Sequence, residues 1–295
     1  NQQPKPTAET NSRRGTMIRA RLARSVRRVA NAAAPTTTRP DMRIVALVGL
    51  AAGALGGLFG VGGGLIIVPG LVLVAKVERR LAHGTSLAAT LPIALASLST
   101  YVAHGNVDWA VAPLMAIGTV TGAVAGTKLL TILPKRTITI VFIVTVLATA
   151  VRLLLATEAT GRDNLTAWSG VLLVVIGLAT GTLSGLLGIG GGVVMVPVMV
   201  VLFGMVPVIA KGTSVAVIVP TSIMGTLSNR SNANVDLKVA AVAGGSGVVS
   251  AIAGGVIADG ISPGVANLMF AFLLLFVAGT QILTLRSDHD EVAVG

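Results

Sequence analysis

Gly62, Gly63 and Gly64, and again Gly190, Gly191 and Gly192, place three glycines in a row inside apolar runs, with Pro69 and Pro197 following each triplet. No reactive side chain is present there, so the chemistry on offer is that of the main chain. A helix starting at Leu65 or Val193 would present bare N–H groups and about half a positive charge. That combination suits an anion, and glycine lets a ligand approach the backbone closely. Gly84-Thr85-Ser86 and Gly212-Thr213-Ser214 come next and would open the following helices. Their hydroxyls either cap those helices or add donors to the site. Pro92 and Pro220 each lie eight residues beyond Gly84 and Gly212, about 12 Å deeper along a helix. There they would kink the helix and free a carbonyl. Thr90, Ser97, Thr221 and Ser222 lie nearby, as ligand donors or as interhelical glue.

These features occur twice at one fixed offset. Gly53 to Gly64 reads almost as Gly181 to Gly192, and an offset of 128 residues holds without a gap from there to Gly126 and Gly254. It pairs Asn106-Val107-Asp108 with Asn234-Val235-Asp236, in short turns where each aspartate should cap the next helix. Matching Gly/Pro-interrupted apolar segments in two halves point to a transporter's binding site. The competing reading, that small residues only permit close helix packing, suffices for Gly53, Gly57 and Gly60. The triplets do not fit the Gly-x-Gly-x-x-Gly nucleotide fingerprint. His83 falls opposite Lys211 and His104 opposite Asn232, so no histidine is duplicated and no shared metal or proton relay is expected.

The elements holding these residues must be membrane helices. Hydrophobic residues make up 53% of the chain against 11% charged, and mean hydropathy is +0.87, values foreign to a water-soluble domain. Apolar segments fall at 44–75, 82–104, 109–130 and 137–156, then at 168–203, 208–229, 238–259 and 264–285. None alternates with period two, which favours helices over a barrel. Tyr101, Trp109 and Trp168 are among the few candidate interface anchors. The two segments containing glycine triplets are too long for one crossing, so each should enter, break and return. Positive charge supports this: with both as hairpins, nine Lys/Arg fall inside and three outside, against five and seven for single crossings. The expected fold is an all-α polytopic membrane protein of two inverted repeats with broken or re-entrant helices. Its repeats span 44–156 and 168–285, joined by a polar linker at 157–167.

Residues 1–43 carry ten Lys/Arg, which gives them +8 of the chain's net +11. Ile18, Leu22, Val26 and Val29 recur there at helical spacing, so the segment either lies on an anionic leaflet or serves as a basic cytoplasmic tail. It is also Arg-rich and acid-poor like a targeting presequence. Nucleic acid is not an expected partner, because no aromatic interleaving accompanies the charge. Both termini, including the tail at 286–295, are expected in the cytoplasm of a cell with this chain in its inner membrane. Cysteine is absent, which removes disulfides, thiolate catalysis and Cys-type metal sites. An intramembrane hydrolase is disfavoured: the histidines are His83, His104 and His289, and no His-Glu-x-x-His occurs. No cofactor or metal is expected. Intramembrane carboxylates are nearly absent, with Asp259 and Glu158 at span ends, as suits an anionic cargo. Arg152 should snorkel to an interface.

Gly60-Val61-Gly62-Gly63-Gly64 with Pro69, His83-Gly84-Thr85-Ser86, Gly105-Asn106-Val107-Asp108 and their second-half counterparts resemble the TauE/SafE family of sulfite exporter-like permeases. The resemblance spans roughly residues 44–285. It implies a multi-pass transporter of sulfite, sulfonates, thiosulfate or another organic anion. Asn232 and Ala233 stand where His104 and Gly105 do in the first copy, so that turn need not match its partner. Taken together, the expectation is a secondary transporter moving a small anion by alternating access, coupled to a proton or sodium ion. Gly62–Gly64 and Gly190–Gly192 would form the cradle, with Thr85, Ser86, Pro92, Thr213, Ser214 and Pro220 completing it. A passive anion channel is the rival.

Overall fold

The computed structural model describes residues 40–154 and 166–293. Among these residues the chain is helical and contains no strand. The helices are α1 (Met42–Phe59), α2 (Gly64–Pro69, continued by a π turn, Gly70–Val74), α3 (Arg79–Ala103), α4 (Val111–Ile132) and α5 (Lys135–Leu154). The second half repeats them as α6 (Ala167–Leu187), α7 (Gly192–Phe203), α8 (Pro207–Ser231), α9 (Leu237–Gly260) and α10 (Pro263–Ala293). Most of the basic tail and of the linker lies outside the described residues, as do the side chains of Arg152 and Asp259. α10 continues past residue 285, to Ala293.

Six helices (α1, α3, α4, α6, α8 and α9) are long and apolar enough to cross a bilayer. Their outward faces carry Leu47, Ile117, Val175 and Val249, each more than half exposed, as a lipid-facing perimeter requires. α2 with its π turn would reach about 16 Å and α7 about 18 Å. Both fall short of a hydrocarbon core of about 30 Å. The two long apolar segments are therefore broken, as the sequence predicts. Each break begins with a glycine in the left-handed region, Gly60 at φ 69° and Gly188 at φ 68°, closing the helix before it.

The helix starts differ from expectation. α3 begins at Arg79, with the Glu78 carboxylate accepting from the Leu81 amide at 3.1 Å, and α8 begins with Pro207 in its first turn. A carboxylate cap and an N-terminal proline set the boundary, so Gly84-Thr85-Ser86 and Gly212-Thr213-Ser214 lie inside their helices. They have a different local task. A Cβ on Gly84 would lie 2.1 Å from the carbonyl oxygen of Asn234, and one on Gly212 1.9 Å from that of Asn106. Beside each contact a hydroxyl completes the clasp: the Asp236 amide donates to Thr85 Oγ1, and the Asp108 amide donates to Thr213 Oγ1, both at 2.9 Å. The aspartates cap the following helices as expected, Asp236 accepting from Lys238 and Val239, Asp108 from Ala110 and Val111. Ala233 adopts φ 56°, close to the 70° of Gly105, so the two turns match despite the substitution.

The halves interlock. Gly49, Gly53 and Gly57 of α1 press on Ala243, Gly247 and Ala251 of α9, in the same order along both helices. Their equivalents Gly177, Gly181 and Gly185 of α6 press on Met115, Thr119 and Ala123 of α4 in the same way. α3 and α8 cross in opposite order, with Gly84 by Asn229, Leu87 by Gly225 and Tyr101 by Gly212. Tyr101 is not an interface anchor: it is 2% exposed and its hydroxyl donates to the Gly57 carbonyl at 2.8 Å. Trp109 and Trp168 are exposed as an anchoring role requires.

These contacts have measurable consequences. A Cβ at Gly53 would lie 2.1 Å from the Gly247 carbonyl oxygen, whereas nothing comes within 4 Å of one at Gly245. Gly53→Ala is expected to destabilise by about 1–3 kcal/mol through overpacking, and Gly245→Ala to stabilise by about 0.5–1 kcal/mol, read as thermal unfolding in detergent. Thr85→Val should cost about 1 kcal/mol by stranding the part-buried Asp236 amide, while Thr85→Ser, which keeps the acceptor, should cost far less.

Candidate functional site

The two breaks meet. Every residue from Phe59 to Leu65, and from Leu187 to Val193, is buried. A Cβ on Gly64 would lie 2.7 Å from Ile189 Cα, and one on Gly192 2.7 Å from Val61 Cα. Gly62 and Gly190 face the same two side chains, Thr90 of α3 and Ile218 of α8. The sequence therefore marks residues from distant parts of the chain that come into direct contact. Gly62, Gly63, Gly190 and Gly191 take φ of 72°, 82°, 76° and 83°, which glycine adopts without the cost other residues carry.

At this junction the main chain is short of partners. The amides of Gly62, Gly63, Gly190, Gly191, Gly192 and Val193 donate to no carbonyl or side chain among the described residues. The carbonyls of Gly63 and Gly191 are used differently, each accepting two amides of the helix that follows: Ile66 and Ile67, Val194 and Met195. So the breaks leave donors over, not acceptors.

Unpartnered hydroxyls lie at this junction and one helical turn from it. Thr90, Ser86 and Ser214 are fully buried, and none of their oxygens has a hydrogen-bond partner. Ser86 and Thr90 lie one turn apart on one face of α3. Ser214 and Ser222 flank Ile218 in the same way on α8, and Ser222 is also buried and unpartnered. Ser184 is a further buried, unpartnered hydroxyl, next to Gly191. Leaving such groups unpaired costs about 1–3 kcal/mol each, and a set of them around bare amides fits a polar ligand. Sequence reasoning did not single out Ser184, although its replacement of Gly56 in an otherwise matching repeat was the available signal.

The remaining predicted residues are placed elsewhere. Thr85 and Thr213 accept from the turn aspartates of the opposite half. Ser97 donates to the Ile93 carbonyl at 3.0 Å, and Thr221 to the Val217 carbonyl and Thr119, so both serve the helices themselves. Pro92 and Pro220 lie within continuous helices, and the Pro92 ring fills the space beside Gly244. Each removes one amide from its helix.

Comparison with known proteins agrees with this architecture. The sulfite exporter TauE/SafE family matches residues 16–153 and 172–293, thus both halves. The probable membrane transporter protein YunE of Bacillus subtilis is 28% identical over 217 residues, covering 65% of this chain and 80% of its own. A probable membrane transporter protein of Methanocaldococcus jannaschii is 29% identical over 194 residues, 63% of this chain and 71% of its own. One from Xylella fastidiosa is 38% identical over 84 residues, 28% of this chain and 32% of its own. No solved structure matches the chain. With both halves matched and the broken helices paired at the centre, the chain belongs to the sulfite exporter TauE/SafE family of membrane transporters.

Proposed function

We propose that the chain is a secondary transporter carrying a small anion, a sulfur oxyanion or organosulfonate such as sulfite, by alternating access. The observation that carries this reading is the junction of the breaks, where unpaired amides of Gly62, Gly63 and Gly190–Gly192 lie among unpartnered hydroxyls. Amides and hydroxyls donate hydrogen bonds to an oxyanion, and the starts of α2 and α7 add positive potential. The family name points to the same chemistry.

The mechanism rests on two inverted repeats. Support for them comes from helix order: α1 runs with α9, α6 with α4, and α3 against α8. α3 also runs with α9, as Ala89 by Gly244 and Thr100 by Gly255 indicate, and α8 runs with α4, through Thr221 by Thr119 and Ser228 by Thr127. Each helix of this set then opposes its counterpart in the other half. In such an arrangement the two halves exchange conformations when the site opens to the other side, so one rocking motion serves both openings. The Thr85 and Thr213 clasps hold the halves together through that motion, while the small-residue contacts let helices slide.

Transport assays separate this site from a structural role. In liposomes, Ser214→Ala and Ser86→Ala are expected to raise the KM for the transported anion roughly 10- to 100-fold, the loss of one hydrogen bond to a charge. Their thermal stability should hold or rise, because the hydroxyl removed has no partner in the protein. Unchanged transport in both would rule out the hydroxyls as ligands. The same liposomes loaded with unlabelled sulfite should accumulate labelled sulfite by counterflow; equilibration without overshoot would mean a channel.

A further inference from the structure

α8 departs from its counterpart α3 on one face. Ile218 of α8 and Thr90 of α3 both touch the junction at Gly62 and Gly190. Past Ile218, Ser222 and Asn229 continue the same face of α8 at helical spacing, with Thr226 beside them. At the corresponding positions α3 carries Ala94, Tyr101 and Leu98. The Tyr101 hydroxyl is taken by the Gly57 carbonyl, so this stretch is polar on α8 and closed on α3.

The polar groups on α8 are not satisfied. Ser222 and Asn229 are fully buried, and Ser222 Oγ, Thr226 Oγ1 and Asn229 Oδ1 have no hydrogen-bond partner. Hydroxyls within helices ordinarily donate to a carbonyl one turn back, as Ser97, Thr180 and Thr221 do in this chain. Ser222 and Thr226 do not. Asn229 is held by its Nδ2, which donates to the Gly225 carbonyl at 3.0 Å and leaves Oδ1 as an open acceptor.

The antiparallel crossing gathers these groups toward one end. Gly84 packs by Asn229 and Leu87 by Gly225, so Ser86 and Thr90 stand level with Thr226 and Ser222. Their hydroxyls are unpartnered too, and all lie from the junction toward the end where α3 begins and α8 stops. Toward the opposite end, Ser214 is the one such group on these two helices. The second hairpin covers the polar end, with Gly188 against His83 and Gly190 against Thr90, on either side of Ser86. The first hairpin covers the other end, with Gly60 against Lys211. Since α3 and α8 are clasped to the turns of the opposite half through Thr85 and Thr213, the hairpins are the elements left to withdraw.

We propose that the cargo route runs from the junction along Ser222, Thr226 and Asn229, and that the resting protein opens at this end in preference to the other. Withdrawing the second hairpin admits water to groups that lack partners, whereas withdrawing the first uncovers Ala94, Leu98 and Ile218. The two openings therefore differ in free energy before any cargo binds. Arg230 and Lys238, both exposed, stand at the mouth of the route and draw anions toward it. The proposal rests on the transporter reading and gives it a direction, since the positive-inside rule assigns this basic end to the cytoplasm.

The chain has no cysteine, so single introduced thiols report access directly. The experiment places Ser222→Cys and Thr226→Cys in lipid nanodiscs, where solvent reaches both faces, with Ala94→Cys and Leu98→Cys as counterparts. A small anionic methanethiosulfonate is the probe, added without cargo. The first pair should react faster by about tenfold or more, because a buried thiol reacts in proportion to the time its side is open. Adding Ser222→Ala to Ala94→Cys should speed labelling at position 94, by removing one group that favours the polar opening. The unmodified protein gives a second reading that no folding defect can spoil: amides of 222–229 should exchange with deuterated water faster than those of 94–101. Equal or inverted rates would overturn the proposal. Thiols at 222 and 226 that never react would overturn it as well, by assigning the polar groups to a sealed cluster of structural waters. Neither readout needs cargo, so the route can fail while counterflow and the Ser86 and Ser214 variants uphold the transporter reading, and the reverse.

Discussion

Helices broken inside a bilayer leave amides that cannot be left facing lipid, where each would cost several kcal/mol. Much of this structure follows from that constraint. The amides of Gly62, Gly63 and Gly190–Gly192 are buried because the two breaks are pushed against one another. That contact in turn requires glycine, since a Cβ on Gly64 or Gly192 would meet the opposite chain at 2.7 Å. Close packing and an unpaired polar centre are thus produced by the same residues.

Reciprocity is the second organising feature. The contacts between the clasps run both ways: Thr85 holds the Asp236 turn as Thr213 holds the Asp108 turn. α1 packs along α9 as α6 packs along α4. Each half therefore completes the other's packing, and neither presents a finished core alone. A Phe59 and Phe270 ring stack, with centroids 4.9 Å apart, ties the first break to the last helix within this shared core.

Departures from reciprocity are where function can acquire direction. His83 stands opposite Lys211, Arg79 opposite Pro207, and Gln281 opposite Leu153. Ser184 faces Gly191, while the first break has Gly56 at that position. A perfectly symmetric molecule would treat its two sides alike; these residues distinguish them.

The sequence determined the class of solvent, the helical content, the duplication and the two breaks, because hydropathy and glycine triplets act locally and repeat at a constant spacing. It also fixed the aspartate caps, which depend only on neighbouring amides. It misplaced the start of α3 and α8, since Gly84-Thr85-Ser86 looks like a cap when the partner that needs it, Asn234 to Asp236, is 150 or so residues away. It read Tyr101 as an interface anchor because burial and a bond to Gly57 cannot be seen along the chain. Folding alone decided which hydroxyls are satisfied: Ser97 and Thr221 find carbonyls, while Ser86, Thr90, Ser184, Ser214 and Ser222 do not. That distinction depends on which helix faces cross, and no local pattern encodes it.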